Sequence, residues 1–304
     1  MPLDEPRIEE PRVDELTTTA AALETTLDGL DALEVPVIAS TPWGRRAWSA
    51  IWPKLAALAI ALATWQAVVA SGWRPEYALA GPGPVVREFW RLLANGELFH
   101  ATALTMGRAV RGYALAILVG TVVGLAIALV PTLRVAVGSL ITGLQTMPSI
   151  AWFPLAILLF RGGEGAIFFV VVIGAAPSIA NGIIAGVDQI PPIHLRVARV
   201  LGAKRLGLVR HVIVPAALPG VIAGLKQGWA FAWRSLLAGE LLVQVAGHRS
   251  IGVLLDTARS ENDVVFLQAT MIAILIIGIV VDALAFGAAE RAVLRRRGLL
   301  SPAR

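Results

Sequence analysis

The sequence predicts an all-α protein that crosses a membrane six times. Of its 304 residues, 57% are hydrophobic and only 15% are charged, and the mean hydropathy is +0.73. Soluble domains usually carry about 25% charged residues. The apolar residues form long uncharged blocks, and a helix of about 20 such residues is long enough to cross a bilayer.

Six apolar blocks are bounded by charged or turn-forming residues, which predicts where each membrane helix begins and ends. The predicted spans are 55–73, 112–133, 135–160, 165–187, 215–245 and 264–289. We expect the second span to be entered one or two turns before residue 112, with Arg108 and Arg111 near the interface. A Pro- and Gly-marked polar stretch between the first two spans predicts one short surface helix over 84–94.

The N-terminal segment differs in composition from the rest of the chain. Its 44 residues contain ten acids and two bases, without the basic start and apolar core of a secretory signal. This predicts a disordered cytoplasmic extension. We divide the chain into an acidic tail (1–44), a first span with an external segment (45–100), a transmembrane core (101–295) and a cytoplasmic C-terminal tail (296–304).

The basic residues that flank the spans predict the orientation of the chain. With the N-terminus inside, thirteen flanking Lys and Arg residues lie on the cytoplasmic side and six lie outside, where acids are interleaved with them. Cytoplasmic segments of membrane proteins carry such an excess of bases. We therefore expect a multi-pass protein of the cell membrane, in contact with lipid, with both termini in the cytoplasm.

Several kinds of chemistry are excluded by the residues that are missing. The chain has no cysteine, and its four histidines form no HxxxH or HExxH pair, so thiolate and zinc sites are not expected. No GxxxxGK[ST] motif occurs, which excludes a P-loop ATPase within this chain. Because the bases flank membrane spans, we expect no nucleic-acid partner. Because these motifs are missing, we expect no cofactor in this chain.

The segment "RVARVLGAKRLGLVRHVIVPAALPG", 196–220, lies between spans four and five and contains five bases and no acid. Val197, Val200 and Leu201 share one helical face, which predicts a short amphipathic helix. Gly202 should break this helix, and a second short helix is predicted over 203–212. Pro215 fits the start of span five. An orienting loop, a lipid-surface segment and a docking element all remain possible from these residues.

Four charged residues inside spans five and six are functional candidates, because a charge at the bilayer centre costs about 2.5–3.5 kcal/mol. Arg234 either faces a translocation path or pairs with a polar group on another helix. Lys226 is interpreted as an interfacial anchor. Glu240 either braces a gate at the outer end or pairs with a neighbouring span, and Asp282 is expected to pair with an intramembrane base.

The segment "QTMPSIAWFP" places Pro148 and Pro154 inside span three, which predicts an irregular helix. Irregular backbone at membrane depth is tolerated where it meets protein or a water-filled cavity. "APSIAN" in span four repeats this pattern. The residues predicted to line a path are Gln145, Ser149, Trp152, Ser178, Asn181, Arg234 and Glu240.

The loop resembles the "EAA" loop of the permease subunits of bacterial ABC importers. That pattern is Glu-Ala-Ala, three residues, Gly, nine residues and Ile-x-Leu-Pro. Here Arg196-Val197-Ala198 precedes Gly202 by three residues, and Val212-Ile213-Val214-Pro215 follows nine residues later. Arg196 replaces the usual glutamate and Val197 the first alanine. The resemblance implies that the loop contacts an ATPase subunit through Arg196, Val197, Ala198, Arg199, Gly202, Ala203, Lys204, Arg205 and Pro215.

The resemblance covers about residues 100–290. "LQTMPSIAWFPLAILLF", "APSIANGIIAGV" and "GWAFAWRSLLAGELL" are similar to the nitrate/sulfonate/taurine branch of these permeases. It implies the six-helix type I permease fold with a cytoplasmic coupling helix. It also implies a homodimer, two ABC ATPase subunits that bind ATP and Mg²⁺, and an external solute-binding protein.

The expected function is therefore transport of a small anionic solute, such as an alkanesulfonate, taurine or nitrate, by alternating access. This chain would catalyse no bond chemistry. Bicarbonate, cyanate or a thiamin-precursor pyrimidine are alternative solutes for the same class of permease. An ion-coupled secondary carrier that uses the four intramembrane charges is the alternative from another class.

Overall fold

The computed structural model describes residues 43–75, 77–243, 245 and 249–296, and every regular element within them is helical. Residues 1–42 of the predicted acidic tail and residues 297–304 lie outside the described part. The helices are α1 (Trp43–Ala70), α2 (Pro82–Ala94), α3 (Glu97–Leu129), α4 (Pro131–Thr146), α5 (Phe153–Phe160), α6 (Glu164–Asp188), α7 (Pro192–Val200), α8 (Arg205–Leu208), α9 (Val214–Leu242), α10 (Ile251–Ser260), α11 (Val264–Val281) and α12 (Gly287–Arg296).

Shorter helical turns join some of these helices. A 3₁₀ turn, Ser149–Trp152, leads into α5. The π-helical turn Val209–Ile213 joins α8 to α9, and a second π turn, Asp282–Phe286, joins α11 to α12.

The chain divides between Ala57 and Leu58 into two units. The first is described from residue 43 onward and consists of the N-terminal part of α1, which includes Pro53. The second contains the rest of α1 and all the later helices.

Within the described residues, five helical segments are long and apolar enough to cross a membrane, and a sixth crossing results if one bent pair counts as a single span. This agrees with the six predicted spans and confirms the all-α polytopic fold. The single segments are Ile51–Ala70, Glu97–Leu129, Glu164–Asp188, Leu206–Leu242 and Val264–Val293, and the bent pair is Pro131–Thr146 with Ser149–Phe160.

The bent pair is the predicted irregular span, but its break is sharper than a kink. The helix axis bends by 100° between its two halves. Met147 has an extended backbone (φ −74°, ψ 128°). The cause is Pro148, because a proline disfavours helical conformation at the residue before it.

α3 begins at Glu97, about four turns before the predicted start of span two. Its first turns bury Leu98 and Ala101 in a cluster with α2, α10 and α11, to which Val85 and Ile251 contribute. These contacts are distant in sequence, and they extend the helix beyond the apolar block that predicted it.

α6 is the most deeply buried of the candidate spans and packs between α3 and α9 through glycines. A Cβ atom on Gly182 would lie 2.4 Å from the Cα of Gly224, and one on Gly124 would lie 2.8 Å from the Cα of Ala180. The helix backbones therefore touch. Small residues allow such close approach in membranes, where packing must replace the hydrophobic effect.

This packing predicts that Gly182→Ala destabilises the protein, because the added methyl group would overlap the backbone of α9. Overpacking costs about 1–3 kcal/mol, so the melting temperature in detergent should fall. Gly138→Ala is the matched control, because a Cβ there meets nothing within 4 Å and alanine favours a helix interior. Equal melting temperatures for the two variants would contradict the proposed packing.

Candidate functional site

A cavity of about 280 Å³ lies where the break between α4 and α5 faces α9. It brings together three of the predicted path residues, Gln145, Ser149 and Arg234. The complete lining is Leu144, Gln145, Thr146, Met147, Pro148, Ser149, Ile150, Gly174, Phe231, Arg234 and Ala238.

Arg234 supplies the positive charge of this cavity. Its side chain is exposed, and its guanidinium carbon lies 5.4 Å from the ring centre of Phe231 on the same helix. Within the described part of the chain, no hydrogen bond or ion pair joins it to another helix. The interpretation of Arg234 as the partner of a polar group on another helix is therefore not supported by the described residues. Its positive charge stays available at the cavity.

Hydrogen bonds join the polar residues of the cavity wall to polar residues behind it. Ser235 donates a hydrogen bond of 2.8 Å to the hydroxyl of Ser149. The Gln145 amide donates to Ser178 over 3.1 Å and accepts from Asn181 over 2.6 Å. Ser178 and Asn181 thus orient Gln145 and are not themselves part of the cavity lining.

The other two predicted path residues lie elsewhere. Trp152 lines a separate apolar cavity of about 340 Å³ between α3, α4 and α6. Glu240 is completely buried. The structure therefore does not bring these two side chains together with Arg234.

Glu240 belongs to a buried ionic cluster with α3 and the start of α6. Arg108 donates to Glu240 over 3.1 Å and to Glu164 over 3.0 Å, and Thr105 donates to Glu240 over 2.9 Å. Arg108 is only 1% exposed, so it lies inside the bundle, and its predicted place near the membrane interface stays a prediction. Glu240 does pair with a neighbouring span, which was one of its two interpretations.

Lys226 contacts acids of the last span. Its ammonium lies 3.6 Å from Asp282 and 3.9 Å from Glu290. Asp282 therefore has the basic partner expected of an acid inside a span. All three side chains are about half exposed, so this group lies at the edge of the bundle rather than in its core.

The loop between spans four and five forms a helix, a glycine turn and a second helix, as its sequence predicts. α7 ends at Val200, and Gly202 follows in the turn with a φ of +79°. The amide of Ala203 closes this turn by donating to the carbonyl of Ala198 over 3.0 Å. The second helix differs from its prediction over 203–212. Only α8 is α-helical, and the π turn continues it directly into span five.

The surface of this loop is apolar and basic. Val200, Leu201 and Leu206 are each at least 80% exposed, and Val197 is about half exposed. Ala198 is buried, and the Arg205 side chain lies outside the described residues. Four bases and Pro215 are also exposed on this segment: Arg196, Arg199, Lys204 and Arg210. Exposed apolar residues with a polar surround are typical of a protein-interaction or membrane-interaction surface.

The same end of the bundle contains the ion pair between Arg134 at the start of α4 and Asp188 at the end of α6. This pair joins the ends of two spans just before the loop begins. The cavity lies further along α9, which begins at this loop and also carries Arg234. One continuous helix therefore joins the exposed loop to the cavity.

Comparison with known proteins identifies relatives of the whole arrangement. Residues 116–298 match a family described as binding-protein-dependent transport system inner membrane component. The riboflavin transport system permease protein RibX of Chloroflexus aurantiacus is 30% identical over 86% of this chain and 97% of its own length.

Two further relatives come from other organisms. The nitrate import permease protein NrtB of Leptolyngbya laminosa is 29% identical over 79% of this chain and 87% of its own length. The taurine transport system permease protein TauC of Escherichia coli is 28% identical over 72% of this chain and 81% of its own length.

Solved structures share the fold at low sequence identity. The inward-facing MetNI methionine ABC transporter has a TM-score of 0.51 at 18% identity and covers 61% of this chain and 93% of its own. An amino acid ABC transporter with histidines has a TM-score of 0.50 at 22% identity and covers 68% of this chain and 98% of its own.

Proposed function

This chain belongs to the family of inner membrane components of binding-protein-dependent transport systems, and we propose that its cavity is part of the translocation path for a small anionic solute. It is the permease subunit of an ABC importer and not an enzyme, since ATP hydrolysis belongs to a separate chain. The family implies an ATPase and a solute-binding protein as partners. This membership also argues against an ion-coupled secondary carrier.

The observation that carries the proposal is the exposed cation at a broken membrane span. Arg234 lies on a helix long and apolar enough to cross a bilayer, yet its charge has no partner on another helix among the described residues. Such a charge is costly in lipid and marks a solute pathway or a water-filled cavity. The break at Met147–Pro148 supports this, because irregular backbone is tolerated beside a cavity.

An anionic solute fits this cavity better than a neutral one. A guanidinium forms charge-assisted hydrogen bonds with oxyanions, and the Ser149 hydroxyl and Gln145 amide add neutral polar groups. The names of two relatives, a nitrate and a taurine permease, agree with this class. The riboflavin relative represents the alternative, a permease for another small solute; bicarbonate, cyanate and a thiamin-precursor pyrimidine remain in that group.

The proposed assembly is a homodimer of this chain. The face of α9 that carries Ala223, Gln227 and Arg234 is exposed although it lies within a span. A second copy facing it would enclose the cavity between two polar helix faces and remove both arginines from lipid. Alternating access then requires that the two copies separate on one side of the membrane at a time.

The energy for this change would enter through the loop of α7, Gly202 and α8. The ATPase subunits, which hold ATP and Mg²⁺, are proposed to dock on Val200, Leu201 and Leu206. The π turn joins α8 directly to α9, so a displacement of the loop moves the helix that carries Arg234. Arg196, in place of the usual glutamate, adds a positive charge to this contact surface.

The role of Arg234 is tested by uptake into proteoliposomes that contain this chain, the ATPase and the binding protein. Nitrate, taurine, bicarbonate and riboflavin serve as labelled solutes. For the transported anion, Arg234→Gln should lower Vmax/KM by about tenfold or more, because a hydrogen bond to a charged group is worth about 1.5–3 kcal/mol. Arg234→Lys should retain more activity. Unchanged kinetics for Arg234→Gln would assign this arginine to packing.

The docking role of the loop is tested with Leu201→Asp. Leu201 is 80% exposed, so the substitution should leave folding intact while placing an acid in the apolar patch. The ATPase should then no longer copurify with the chain in detergent. Leu201→Met is the matched control and should bind normally. Normal ATPase binding by Leu201→Asp would place the docking surface elsewhere.

A further inference from the structure

We propose that Glu240 and Gly252 form a positioning contact that couples docking of the solute-binding protein on α10 to movement of span five. The inference rests on the proposed function and assigns a role to a buried carboxylate that lies away from the cavity. Glu240 would act through α9 and not by touching the solute.

The first argument is how the start of α10 is held. The first N–H groups of a helix have no partner within the helix. Here the Ile251 amide donates to Thr105 of α3 over 3.0 Å, and the Gly252 amide donates to the Glu240 carboxylate over 3.2 Å. Ser250 caps the amide of Val253. Two of these three bonds therefore attach α10 to other helices of the bundle.

The second argument is the closeness of α10 to α9. A Cβ atom on Gly252 would lie 2.3 Å from the Cβ of Glu240 and 2.9 Å from its carbonyl carbon. The backbone of α10 therefore rests directly on Glu240. Any side chain at position 252 would push the two helices apart, so this contact requires glycine.

The third argument is that Glu240 has a fixed position. Arg108 holds its other oxygen over 3.1 Å and also pairs with Glu164 at the start of α6. Both members of the central pair are at most 1% exposed. A buried ion pair is a weak source of stability but can fix a geometry. Residues of α3, α9 and α10 thus meet at one carboxylate, and α6 joins the cluster through the pair of Glu164 with Arg108.

The fourth argument is where this contact lies along α9. Glu240 is six residues from Arg234, which is about 9 Å along the helix axis. The loop proposed to meet the ATPase lies at the opposite end of the same helix. α10 presents an exposed base, Arg259, at this far end, where it pairs with Asp256 of the same helix over 2.9 Å. The partner that meets the end opposite the ATPase is the binding protein, so its docking would displace α10 and, through Glu240, the cavity helix.

The experiment measures ATP hydrolysis by the complex of this chain and its ATPase in nanodiscs, with and without the binding protein. The binding protein is loaded with whichever of nitrate, taurine or bicarbonate it binds most tightly. Gly252→Ala should leave the basal rate near that of the unsubstituted complex and lower the stimulation at least about fivefold, the lower limit for typical coupling between sites. Gly138→Ala is the matched glycine control and should be stimulated normally.

Glu240→Gln provides a second variant in case Gly252→Ala does not fold. It keeps the side-chain length and one carbonyl acceptor but loses the ion pair with Arg108, and its stimulation should also fall. Normal stimulation in the folded variants would overturn the inference. A parallel loss of basal activity, stimulation and thermal stability would also overturn it, since that is the result of a purely structural role. An unsubstituted complex that the binding protein does not stimulate would contradict the proposed function as well.

Discussion

The close contact of α6 with α3 and α9 determines how the rest of the bundle is arranged. Glycines on both sides bring the backbones together, so α9 can take only one rotation about its axis. Successive residues of a helix are rotated by about 100°, which places Arg234 and Glu240 on different sides of α9. When the glycine face of α9 rests on α6, Glu240 reaches Arg108 and Arg234 faces the broken span. Helix packing thus separates the charge proposed for the solute from the charge that holds the helices together.

Much of this arrangement follows from local sequence patterns. Apolar blocks predict the spans, Pro148 predicts the break, and the spacing from Gly202 to Pro215 predicts the loop. Each of these patterns acts on the backbone within a few residues, and the structure contains the spans, the break and the loop that they predict. The irregular backbone predicted at Pro148 also pointed to Gln145 and Ser149, which line the cavity.

The features that were missed depend on contacts between distant residues. α10 was not predicted, although Ser250 is an N-cap residue and could have signalled its start. The early start of α3 follows from its burial against α2, α10 and α11. The pairing of Arg108 with Glu240 joins residues 132 positions apart, and nothing in the spacing of either span indicates it. Trp152 was predicted to line the path from the same irregular backbone, but it lies in the 3₁₀ turn and lines a different cavity.

The central claim is that the cavity beside Arg234 is an aqueous path whose exposure changes with the state of the ATPase. The chain has no cysteine, so a single Thr146→Cys substitution gives a clean probe of the cavity lining, and Leu158→Cys, 78% exposed on α5, gives a lipid-facing control. Labelling rates with a charged, membrane-impermeant thiol reagent are compared with and without ATP trapped on the ATPase. We expect Thr146→Cys to react with the reagent, at rates that differ with and without trapped ATP. Leu158→Cys should remain unreactive in both states. A Thr146→Cys that is as inert as Leu158→Cys in both states would contradict the path.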